Sequence, residues 1–212
     1  MVFFLNIVVN NPHSYQTLET LSEGLYKEKG SKFIGYAVPC RTEEEAKLHL
    51  NEWKKMHHQA RHLCYAYRFG VGNYVTRAND DGEPNNSAGA PILGQIQSFE
   101  LTNVLIGVIR YFGGTKLGVG GLIHAYRAAA KEAIEAGNII QKELEETLQI
   151  TFNYPQLPAI MSLIKTTNAK VLVQDFQLDC NLEICIPLEQ SEKLKVLLQE
   201  IENTEIHSKG IY

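Results

Sequence analysis

The sequence predicts an α+β protein of two domains, residues 1–139 and 140–212. Three observations carry that reading. Segments with hydrophobic periods of two and of 3.6 residues succeed one another along the chain. Val104–Tyr111 is a nearly continuous apolar run, the pattern of a strand covered on both faces. The texture also changes around residues 138–143. Residues 1–140 hold 14 Lys and Arg against 13 Asp and Glu, with all six Arg, 15 of the 16 Gly and six of the seven His, whereas residues 141–212 hold six Lys and 11 acids.

The elements follow in order. Leu25–Lys29 and Lys32–Pro39 read as a hairpin around Gly30-Ser31. Thr42 is an N-cap, Glu43-Glu44-Glu45 suits a helix amino end, and Ala46, Leu50 and Trp53 recur at helical spacing, which predicts a helix over 43–59. Cys64–Phe69 and Tyr74–Arg77 read as a second hairpin. Asp80–Pro91 is a turn-rich loop, Ser87–Phe99 contains a short helix, and a glycine loop at Gly113–Gly121 leads to a helix over Leu122–Ala136 that Gly137 ends. Beyond it come a strand (Glu145–Tyr154), a helix (Pro155–Thr167), strands at Lys170–Phe176 and Leu182–Pro187 around a turn near Asp179, a helix (Glu189–Ile201) and a last strand (Thr204–Tyr212). That β-α-β-β-α-β order is the ferredoxin-like split βαβ.

Composition narrows the function. The net charge of −4 is too small for a whole-chain polyanion binder. No apolar run approaches the roughly 20 residues of a membrane span, and Met1–Val9 lacks the basic start and cleavage site of a signal peptide. Four cysteines without metal-ligand spacing point to a reducing cytoplasm and no disulfide framework.

Chemistry concentrates in the first domain. Asp80-Asp81-Gly82-Glu83-Pro84 sets three carboxylates in a loop, able to hold a divalent cation, to receive Arg and backbone donors, or simply to form a solvated turn. Arg110 to Gly121 places Gly113, Gly114, Gly118, Gly120 and Gly121 with Lys116 between a strand and a helix. Converging amides, the helix dipole and two cations make a cradle for an oxyanion. The spacing is neither that of a P-loop nor that of a dinucleotide fingerprint, and a tight structural turn is the alternative. His57 and His62, with Arg61 near by, are possible ligand contacts. Cys64 lies in a strand pattern and reads as a buried structural thiol. No residue set is assigned to catalysis, to a metal or to a cofactor.

The blocks Ser31-Lys32-Phe33-Ile34, Asp80-Asp81-Gly82-Glu83-Pro84, Ala88-Gly89-x-Pro91-Ile92-Leu93, Asn103-Val104 and Arg110-Tyr111-Phe112-Gly113-Gly114-x-Lys116-Leu117-Gly118-x-Gly120-Gly121-Leu122 resemble the signature of the IMPACT/YigZ family. The resemblance covers residues 20–130. It implies a first domain with a ribosomal protein S5 domain 2-like fold and a second similar to the last domain of elongation factor G. Asn85-Asn86-Ser87 departs from the family's usual Ser-Gly-Thr, and His124 and Arg127 stand where Arg and Ser are common. The resemblance implies a translation-linked or nucleic-acid-binding role. On that reading Arg110, Lys116 and Arg127 meet phosphate, Asp80, Asp81 and Glu83 orient the cations, and RNA or the ribosome is the partner. The alternative is a metal-dependent hydrolase or transferase of phosphate compounds using the Asp80/Asp81/Glu83 loop.

Overall fold

The structure, a computed structural model, describes residues 13–176 and 179–212. The apolar opening stretch and the turn before Asp179 lie outside those residues. The chain forms two compact units, residues 15–142 and residues 143–212 with His13 and Ser14.

In chain order the larger unit runs β1 (Ser14–Leu18), β2 (Ser22–Glu28), β3 (Ser31–Pro39), α1 (Glu43–Met56), β4 (His62–Phe69), β5 (Val75–Asn79), α2 (Gly89–Ser98), β6 (Val104–Tyr111), α3 (Gly118–Glu135) and β7 (Ile139–Glu143). Five strands form one antiparallel sheet in the order β2-β3-β6-β4-β5. Its central strand β6 is buried along almost its whole length. Alternation explains this. Ile106 and Val108 face the core made with α2 and α3, and Leu105 and Ile109 face the core made with Trp53 of α1. Thr42 caps α1 by accepting a hydrogen bond from the Glu45 N–H.

Three sequence expectations change here. The helix expected over 43–59 stops at Met56, where the His57 N–H bonds the Trp53 carbonyl at 2.9 Å. The helix expected from Leu122 starts at Gly118, so Gly118, Gly120 and Gly121 form its first turn and not a loop. Burial of Leu122, Ala125, Tyr126 and Ala129 against the sheet offsets the poor helix propensity of those glycines. Strands β1 and β7, unforeseen in the sequence, pair with each other in a separate two-stranded sheet.

The smaller unit contains β8 (Glu145–Asn153), a 3₁₀ turn at Tyr154–Gln156, α4 (Leu157–Lys165), β9 (Lys170–Phe176), β10 (Asp179–Pro187), α5 (Leu188–Gln199) and β11 (Thr204–Ile211). The expected β-α-β-β-α-β order is observed, on an antiparallel sheet ordered β11-β8-β10-β9. Ile150, Phe152 and Leu182 on its covered face meet Ile160 of α4 and Leu194 and Leu198 of α5. Among the described residues no helix is long and apolar enough to cross a membrane.

Candidate functional site: a cavity beside the amino end of α3

The acidic loop organises the larger unit through three separate tasks. Ala88, the N-cap of α2, makes no side-chain cap bond. Asp80 supplies that cap from eight residues upstream, its Oδ1 accepting from the N–H groups of Ala88 (3.0 Å) and Gly89 (2.8 Å) and its Oδ2 from that of Asn86 (2.9 Å). Asp81 ties the loop to β4, its Oδ2 accepting from the Leu63 N–H at 2.7 Å. Its carbonyl lies 2.7 Å from His62 Nδ1. A carbonyl only accepts, so Nδ1 carries a proton and donates it.

Glu83 turns inward. One of its oxygens accepts from Arg110 Nη1 at 2.6 Å and from the Tyr126 hydroxyl at 2.8 Å, with the Glu83 and Arg110 side chains only 5% and 8% exposed. Burial pushes the Tyr126 phenol far above its usual value, so it stays protonated and donates. The pair fixes Arg110 but leaves its Nε, also buried, without a hydrogen-bond partner among the described residues.

Above this pair opens a cavity of about 430 Å³. Arg110 and Glu83 lie in its wall, joined by Arg61, His62, Lys116 and Phe112. The amino end of α3 closes one side through Leu117, Gly118 and Val119, and no side chain caps that end. Unpaired amides and the helix dipole therefore add positive potential to the charges of Arg61 and Lys116. Gly118 enters the helix with φ of +72°, a conformation natural to glycine. Gly113 sits so close to the Gly30-Ser31 turn that a Cβ there would lie 1.9 Å from the Gly30 carbonyl carbon. Its N–H donates to Ser31 Oγ at 3.1 Å, which anchors the segment leading to Lys116.

Of the residues singled out in the sequence, the cavity gathers Arg110, Lys116, Gly118, Glu83 and His62. Gly113, Gly114, Gly120 and Gly121 shape the approach without lining it. Arg127 is exposed on α3 and does not line the cavity. His57 is held on the α1 face between the hydroxyls of Tyr36 (3.0 Å) and Tyr111 (2.9 Å). Asp80 and Asp81 orient backbone amides and not cations, so of the three carboxylates only Glu83 holds an arginine. Among the described residues no group of three or more His, Cys, Asp or Glu side chains is placed to hold a metal ion. Cys64 is fully buried, and burial raises its thiol well above the usual range.

Sequence reasoning placed Arg61 only as a neighbour of His57 and His62, favoured core for Phe112 over base stacking, and missed Tyr126 as the partner of Glu83. Arg61 adjoins His62, which is a usable signal. Phe112 follows a buried strand and reads as core, yet it is 45% exposed. Nothing local in the sequence links Tyr126 to a carboxylate 43 positions earlier.

The loop, the cavity and the amino end of α3 all fall within residues 29–134, which match the Impact N-terminal domain family. The chain belongs to the IMPACT family. It is 32% identical over 180 residues to the IMPACT family member YvyE of Bacillus subtilis, covering 85% of this chain and 82% of that relative. It is also 32% identical over 163 residues to YigZ of Escherichia coli, covering 75% of this chain and 79% of the other. A crystal structure of a hypothetical protein aligns with 92% of this chain and 96% of its own, with a TM-score of 0.72 and 25% identity. This IMPACT family chain thus shares its fold with that structure over nearly its whole length.

Proposed function

We propose that the chain is a translation-linked regulatory protein that binds RNA, or another phosphate-bearing component of the translation machinery, through the amino end of α3 and the cavity beside it. The observation that carries this reading is the convergence of Arg61 and Lys116 on an uncapped helix end, beside an arginine whose Nε has no acceptor among the described residues. Family membership supports the link to translation through the role that the resemblance implies. The chain acts by binding, and Glu83 serves to fix Arg110 in place.

Salt dependence tests the proposal. Two exposed cations meeting phosphate on single-stranded RNA give an affinity that falls about sevenfold between 50 and 200 mM salt. Filter binding of a short RNA measures it, and Lys116→Ala flattens the slope. An affinity independent of salt, or no binding at the lower salt, overturns the proposal.

A further inference from the structure

Building on that binding reading, we infer that the cavity takes a 5′-nucleoside monophosphate group, with its phosphate monoester at Arg61 and Lys116 and its base against Phe112 and Val119. Charge favours a monoester. Arg110 is already neutralised by Glu83, so the uncommitted charge at this spot is that of Arg61 and Lys116, neither of which forms an ion pair among the described residues. Two positive charges match the two negative charges of a terminal phosphate, whereas a phosphodiester carries one. Arg110 also stands in the cavity wall, and its buried Nε is without an acceptor among the described residues.

Shape favours a nucleoside behind that phosphate. The cavity, about 430 Å³, has the size of a single-ligand site and not that of a long groove. Phe112 and Val119 stand 45% and 52% exposed at it, which suits them to packing against a planar base. The same group occurs in a free mononucleotide and at the 5′ end of a processed RNA.

Calorimetric titration of the full chain distinguishes these cases. The probes are AMP, adenosine, inorganic phosphate, and one short RNA with either a 5′-phosphate or a 5′-hydroxyl. AMP is expected to bind at least about tenfold more tightly than adenosine or inorganic phosphate. Lys116→Ala should weaken AMP about tenfold, while Phe112→Ala should weaken AMP but not inorganic phosphate. Both side chains are exposed, and an unchanged unfolding curve for each variant separates lost binding from lost folding. A preference for the 5′-phosphorylated RNA identifies chain ends as the ligand, and AMP binding without that preference identifies the free nucleotide. AMP binding no tighter than adenosine or phosphate overturns the inference. If the two RNAs then bind equally well, the RNA reading stands without it, and if no probe binds, both fall.

Discussion

Glu83 illustrates how one residue joins the core of the fold to the candidate site. It lies among buried apolar side chains, and Arg110 and Tyr126 both donate to it. Removing it strands a buried guanidinium, a change that costs about 3–5 kcal/mol where the partner charge stays dry. Glu83→Ala is therefore expected to lower the denaturation midpoint sharply. Trp53, the chain's one tryptophan, is fully buried in the same unit and reports the change by fluorescence. Replacing the pair together, Glu83→Leu with Arg110→Met, should restore most of the loss. A single variant as stable as the parent would show that the pair contributes little to folding.

At the scale of elements, Asp80 and α2 make the comparable test. The carboxylate serves three N–H groups at the helix start, so Asp80→Ala should destabilise the larger unit by about 0.5–2 kcal/mol in the same urea titration. Asp80→Asn, which keeps acceptor capacity on one oxygen, should recover part of it. Periodicity made most elements legible, and β6 is the clearest case because a β-branched apolar run of that length matches a strand buried on both faces. Other features were not legible because their causes are distant in sequence. β1 and β7 are five residues each, do not alternate cleanly, and exist by pairing with each other across more than a hundred residues. The early start of α3 was hidden because three glycines in four residues argue against a helix until the packing of Tyr126 and Ala129 is known. Within the site, the cluster of acids, glycines and cations stood out, but local spacing could not separate Asp80, which caps a helix, from Glu83, which holds Arg110.

For the whole molecule, the division into two units matters more than the net charge of −4. The cores lined by Phe33 and Trp53 belong to the larger unit and that lined by Phe152 to the smaller, so each unit has its own reason to stay folded. Acid should act on the smaller unit through Glu146. Burial disfavours its charge, but Lys195 at 2.8 Å, together with Ser191 and Ser208, outweighs that and holds the carboxyl below its usual value. Its contribution is therefore complete above about pH 4.3, the value in the unfolded chain, and is lost as the pH falls through the lower folded value. Circular dichroism of urea unfolding at pH 7 and at pH 3.5 should show this loss, and Glu146→Gln should reduce the difference between the two. The arrangement at the cavity has an evolutionary consequence. Arg110 and Glu83 are tied into the fold, while Arg61, Phe112 and Lys116 are exposed. Under the proposed binding role, descendants of this chain can therefore exchange what they recognise by drifting at three positions, while the two beneath them are held constant by the demand of folding itself.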